Sequence, residues 1–241
     1  MADPALPAEA PSPRPDDPAM PLTEHLAELR RRLIVALVSV GVCSAALFQV
    51  SGTLLELVAR PAGQLVFTAP TDAFMTRIKL SLFGGLLLAL PVVLSQVWGF
   101  VARAMEAGWR GPLRLFVAGS YVLFLAGVSL AYFVVLPAAM KFLMACGSES
   151  VRPLMAVSSY VGFAAALCVA FGSVFQLPLV LIILNKAGIV SREFLRSKRG
   201  YAYVLAFLLA AFLTPGPDVF SQVALALPTL FLFETTLLVL R

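Results

Sequence analysis

Apolar residues run along this chain in long uncharged blocks, not in the alternating or 3.6-residue stripes of a water-soluble fold. Six blocks can be drawn: Leu33 to about Val50, about Leu80 to Val101, Leu115 to Leu136, about Tyr160 to Leu184, about Tyr201 to Leu213 and about Phe220 to Leu240. A straight helix needs ~20 residues to cross a bilayer, and the first four blocks meet or approach that length. The fifth is short, with Pro215 and Pro217 directly behind it. It predicts either a short span in a locally thinned bilayer or a re-entrant element. The expected fold is all-α: a polytopic membrane protein with six transmembrane helices, spans five and six short. Pro137 is expected to end the third span, and Pro178 to kink the fourth. Segments 51–79 and 137–159 read as ordered caps over one face, with short interfacial helices.

Residues 21–32 break the pattern. Leu22, Leu26, Leu29 and Leu33 recur at spacings of four, three and four, one face of a helix, while Glu24, Glu28, Arg31 and Arg32 fall on other faces. Pro21 and a Thr23 N-cap supply a start signal, and no stop signal precedes the first apolar block. The stretch reads as a short amphipathic helix at a membrane surface that feeds straight into span one. Glu28 has Arg31 at i+3 and Arg32 at i+4. Two readings stand: a helix-surface ion pair worth ~0.3–0.5 kcal/mol, or a carboxylate at the membrane boundary awaiting a cationic partner.

Composition strengthens the membrane reading. Apolar residues are 60% of the 241 and charged residues 13%, against ~25% charge in a soluble domain. Residues 1–20 lack the apolar core of a signal peptide and carry six prolines, so they read as a disordered tail before one six-span domain, 21–241. Thirteen of the 18 basic residues fall in the tail, the loops after spans two and four, and the C-terminal Arg241; the opposite loops hold the rest. That bias places both termini in the cytoplasm. The basic residues sit in short loops and form no groove for nucleic acid. Cys43, Cys146 and Cys168 have no metal-ligand spacing and read as packing residues. His25 lacks partners for metal or triad chemistry, and no phosphate-binding loop is present. No enzyme, cofactor or metal is expected.

Polar residues within apolar blocks are costly and point to function by default. Gln176, in Phe-Gln-Leu-Pro, reads either as an interhelical hydrogen bond or as a group that satisfies carbonyls freed by Pro178. Glu234, late in span six, either snorkels to the cytoplasmic face or is a buried acid. Asp218 reads as a turn residue and N-cap of span six. Thr214 and Gln222 flank that turn, and a polar hairpin end on short spans is a docking place for another transmembrane helix.

Taken together, these residues resemble the TatC family, the multispanning receptor of the twin-arginine protein translocase. His25-Leu-Ala-Glu-Leu-Arg-Arg-Arg32 is similar to the family's H-L-x-E-L-R-x-R signature. Further matches follow in order: Ile78-Lys-Leu, Pro91, Gln96-Val-Trp-Gly-Phe100, Ala131 to Pro137, Ala170-Phe-Gly172, Phe175-Gln-Leu-Pro178, Lys198-Arg-Gly-Tyr201, Thr214 to Gln222 and Phe233-Glu234. The resemblance covers about residues 20–240.

It implies a receptor in the bacterial cytoplasmic (inner) membrane that binds Arg-Arg signal peptides of folded cargo at its cytoplasmic face. It also implies recruitment of TatA- and TatB-type single-span partners, a hetero-oligomer with several TatC copies in the bilayer, and transport driven by the proton motive force. Carried over residue by residue, signal-peptide binding falls on His25, Leu26, Glu28, Leu29, Arg30 and Arg32, and partner-helix docking on Thr214 and Gln222. Gln176, Asp218 and Glu234 are the intramembrane or periplasmic polar positions. The family's second signal-binding acid lies in the loop after span two. Trp109 stands at that position, and Glu106, three residues earlier, is the one acid this loop offers. Many members carry Glu where this chain has Gln176, and the turn at Pro-Gly-Pro is one residue longer here. The competing expectation is an ion-coupled permease using Gln176 and Glu234. No inverted repeat relates the two halves of the chain, which speaks against it.

Overall fold

The computed structural model describes residues 22–60, 65–104, 113–145, 155–214 and 219–240. The fold is all-α and polytopic. The helices are α1 (Leu22–Phe48), α2 (Ser51–Ala59), α3 (Asp72–Ala104), α4 (Leu113–Leu130), α5 (Leu136–Ala145), α6 (Val157–Val174), α7 (Leu177–Lys186), α8 (Arg192–Ser197), α9 (Arg199–Leu213) and α10 (Val219–Val239). Among the described residues, five stretches are long and apolar enough to cross a membrane: 26–48, 72–102, 114–145, 157–186 and 219–239. α9 has 15 residues, a rise of ~22 Å against a hydrocarbon core of ~30 Å. α10 has 21 residues, so only the fifth span is short, not the fifth and sixth together.

α1 is one uninterrupted helix of 27 residues. The charged stretch forms its first turns and runs straight into the first apolar block, as its lack of a stop signal predicts, but Thr23 lies inside the helix, one residue past its start, and is not its N-cap. α1 packs antiparallel on α3. The contact is close where α3 carries small residues: a Cβ on Gly85 would lie 2.6 Å from the Ser44 backbone, and one on Gly99 would lie 2.3 Å from Arg32 Nη1. Leu26, Leu29 and Leu33, the predicted apolar face, are all exposed on the chain itself.

Pro137 does not end the third span. A π-helical segment, Ala131–Val135, joins α4 to α5, and the Leu136 N–H reaches back to the Ala131 carbonyl. Widening the helix just before the proline absorbs both its missing donor and its ring. Pro178 kinks the fourth span as expected: α6 stops at Val174, Phe175 and Gln176 stay in the helical region, and α7 resumes with the proline in its first turn, where no N–H is needed.

The core lies between α3, α5, α6 and α10, around Leu136, Leu167, Phe171 and Leu225, all fully buried. α4 and α6 run antiparallel. Gly127 abuts the Phe171 backbone, and Gly172 abuts the Phe124 ring. Cys168 is buried in this core and Cys43 is half-buried, both as free thiols; Cys146 lies outside the described residues.

At the end of the bundle away from Arg32, two residues each of β1 (Leu65–Val66) and β2 (Met155–Ala156) pair in parallel and tie the two capping segments together. The sequence offered no signal for pairing this short. Tyr132 and Tyr160 donate their hydroxyls to the Leu57 and Val58 carbonyls, each at 2.9 Å, satisfying the end of α2. Asp72 Oδ2 accepts from the Thr68 and Ala69 backbone N–H groups, and its Oδ1 accepts from Ser158 Oγ at 3.1 Å.

Candidate functional site

At the other end, α1 and α3 build a charged cluster. Glu28 and Arg32 are one turn apart on α1, so both side chains leave the same face. Arg32 Nε donates to Glu28 Oε1 at 2.6 Å, and the two side chains are 17% and 12% exposed. Arg32 Nη1 also donates to the Gln96 carbonyl on α3 at 3.2 Å. Its guanidinium lies against Gly99, where any side chain would collide with it. The pair is therefore held by two helices and mostly withdrawn from water. It exceeds the i,i+4 surface pair as a description, because a charge-assisted hydrogen bond at such a site contributes ~1.5–3 kcal/mol. Arg30 and Arg31 are exposed beside it. Nearby, Trp98 and Phe116 meet edge to face across α3 and α4, with centroids 6.4 Å apart.

The remaining residues of the sequence-derived site are distributed as follows. Leu26 and Leu29, 63% and 43% exposed, lie on the turns next to Glu28. His25 belongs to α1, but its side chain lies outside the described residues, as do Glu106, Trp109 and Asp218. The structure thus unites Glu28 and Arg32 with α3, and adds Gln96 and Gly99, which the sequence reading had not assigned to the site. The adjacency of Gln96 and Gly99 within the Gln-Val-Trp-Gly-Phe motif was the available signal.

Gln176 sits in the turn between α6 and α7 and faces α4. Its Oε1 accepts from the Ser120 hydroxyl, and its Nε2 donates to the Ser120 carbonyl at 3.0 Å. It bridges two helices; it does not satisfy carbonyls freed by Pro178. Glu234 is one-third exposed. Its Oε1 accepts from the Tyr203 hydroxyl at 2.5 Å, and its Oε2 is 2.9 Å from Arg199 Nη2. This cluster joins the start of α9 to the end of α10. Thr214, buried, donates back to the Ala210 carbonyl at 2.8 Å, and Gln222 Nε2 donates to the Phe207 carbonyl at 3.3 Å. Beside them α9 and α10 expose apolar side chains, among them Phe212 at 87% and Val219 at 70%. An open groove of about 660 Å³ lies between α1, α3 and α6; its polar lining residues are Lys79 and Ser173.

A bundle of long apolar helices with a charged cluster at one end defines a multi-pass α-helical membrane protein. Residues 24–228 match the family model described as Sec-independent protein translocase protein (TatC), and the chain belongs to the TatC family. It is 36% identical to the Sec-independent protein translocase protein TatC of Carboxydothermus hydrogenoformans, over 94% of this chain and 95% of that one. It is 39% identical to the TatC protein of Escherichia coli K12, over 89% and 85%. A crystal structure of a twin-arginine translocase receptor TatC superimposes with a TM-score of 0.80 at 36% identity, covering 90% of this chain and 99% of that one. The chain is accordingly a component of the Sec-independent protein translocase, a transport system.

Proposed function

We propose that this chain is the twin-arginine signal receptor of its translocase, with the Glu28 pocket as the place where a signal arginine is held. The observation that carries the reading is the pair itself. A carboxylate mostly withdrawn from water, at the charged start of a membrane-spanning helix, already accommodates a guanidinium. Arginine in a signal peptide presents the same planar fork, which a lysine ammonium cannot reproduce. Exposed Leu26 and Leu29 supply an apolar wall for the residues beside the arginine pair, and Arg30 lies on the rim. His25 and Glu106 complete the proposed site, Glu106 taking the role of the second acid. Thr214 and Gln222, with the exposed faces of α9 and α10, are the proposed docking place for TatA- and TatB-type helices. The membrane is the bacterial cytoplasmic membrane, with both termini and the Glu28 pocket on the cytoplasmic side.

The permease reading fits less well. Gln176 and Glu234 are each engaged in interhelical contacts, and no carboxylate lines the open groove. The deciding experiment is photo-crosslinking in membranes from position 28, and separately from 106, to a labelled Arg-Arg signal peptide. Crosslinks at 28 that vanish with a Lys-Lys signal support the receptor. A folded, inserted protein that gives no crosslink at 28 refutes it.

A further inference from the structure

We infer that Arg32 is an internal stand-in for the signal arginine: its guanidinium occupies Glu28, and an incoming arginine must displace it. This inference rests on the receptor reading above, and it reassigns Arg32, which the resemblance put among the signal-binding residues, to a competitor of the signal arginine. Arg32 Nε reaches Glu28 Oε1 at 2.6 Å, which is the contact a signal guanidinium would make. Its other nitrogens are held against α3. Nη1 bonds the Gln96 carbonyl at 3.2 Å, and the group lies in the space left by Gly99, whose absent Cβ would be 2.3 Å from Nη1 and 3.1 Å from Cζ. Two independent features thus hold this arginine in place, the carboxylate on its own helix and the glycine gap on the next.

The consequence follows from population arithmetic. If only the fraction of molecules with Arg32 displaced can bind, the apparent Kd is the intrinsic Kd divided by that fraction. The factor is the same for every ligand that must displace Arg32. Arg32 therefore sets how strong a signal must be, and leaves the ratio between Arg-Arg and Lys-Lys signals unchanged. Because displacement precedes binding, the cost falls on the association rate and not on dissociation.

The test uses the full-length chain in lipid nanodiscs and a fluorescent Arg-Arg signal peptide, with association and dissociation followed separately. Arg32→Gln is expected to tighten binding by roughly 10–100-fold, the range set by a charge-assisted hydrogen bond mostly withdrawn from water. The change should lie in the association rate, and the Arg-Arg to Lys-Lys affinity ratio should be preserved. Gly99→Ala keeps every charge and forces the outer end of the guanidinium off α3 by collision, so it loosens one of the two holds and should tighten binding in the same direction but less; it also carries the test if Arg32→Gln does not fold. Arg31→Gln removes the same charge from an exposed neighbour and should give a smaller, salt-screened change. Weaker binding or faster dissociation in Arg32→Gln would overturn the inference, because a merely structural pair behaves so. Equal tightening by Arg31→Gln would overturn it in favour of net charge. Glu28→Gln separates the two layers. If it binds like the wild type, the receptor reading fails; if it loses binding while Arg32→Gln gains nothing, only the stand-in fails.

Discussion

The bridge between Ser120 and Gln176 decides whether the polar residue of the fourth span is structural or part of a transport path. Gln176→Leu removes both of its bonds to Ser120, whereas Ser120→Ala removes only the one made by the hydroxyl, because the backbone carbonyl remains. Interhelical hydrogen bonds in membranes contribute ~0.6 kcal/mol on average and up to ~1.7. Gln176→Leu should therefore cost about 1–2 kcal/mol and Ser120→Ala about 0.6 kcal/mol. The double variant should be no less stable than Gln176→Leu alone, since the hydroxyl bond can be lost only once. The shortfall from additivity, about 0.6 kcal/mol, is the coupling energy. Reversible unfolding of the purified protein in mixed micelles measures all four corners of the cycle. Export of a reporter with an Arg-Arg signal is followed in parallel and should decline only as far as folded protein does. Singles that add to within ~0.3 kcal/mol would refute the bridge. Export abolished in a Gln176→Leu protein of undiminished stability would refute the structural role and revive the permease.

Other expectations follow from contacts with equally definite geometry. Gly127→Ala would place a Cβ 2.7 Å from the Phe171 carbonyl oxygen; the backbone must shift, at about 1–3 kcal/mol, whereas Gly119→Ala on the same helix meets open space and should leave the melting temperature unchanged or higher. Tyr160→Phe strands the Val58 carbonyl at a cost of about 1–3 kcal/mol, read as faster hydrogen exchange in α2. Arg199→Gln leaves Glu234 with Tyr203 alone; with both ionic partners more than a third exposed, the loss should be ~0.2–1 kcal/mol and should shrink in high salt. Glu28→Ala should lose Arg-Arg peptide binding while the protein remains folded, checked by peptide anisotropy beside a thermal melt; normal export would remove Glu28 from the site.

The features legible in the sequence were those set by solvent. Long uncharged blocks announced the spans, and the short fifth block became the 15 residues of α9. The proximity of Glu28 and Arg32 followed from the i,i+4 spacing alone. Features set by tertiary contact were not legible. Pro137 looked like a stop because the residues before it carry no mark of a π-helical turn, which is a response to packing. Gln176 was read against its own helix break, yet its partner lies 56 residues away on α4. Gly99 and Gln96 entered the site only because α1 crosses α3 there. The two-residue strands were invisible, since their pairing depends on where two long connections meet.

The placement of polar groups argues for a receptor over a conduit. A path for ions or solutes needs polar groups that face a common cavity and exchange partners during transport. Here Gln176 bonds a buried serine, Glu234 an arginine and a tyrosine, and Thr214 its own helix. Each joins or ends helices, and none of the three lines the open groove. The open groove is apolar but for Lys79 and Ser173. The Glu28–Arg32 pair differs because both its members come from the first turns of α1, next to exposed leucines and exposed arginines. On the receptor reading proposed above, a signal peptide would meet the pair at the end of the bundle, and the group it would replace shares the chemistry of the group it brings. Recognition on that reading would exchange one guanidinium for another at Glu28, a step the rest of the bundle needs only to hold still for.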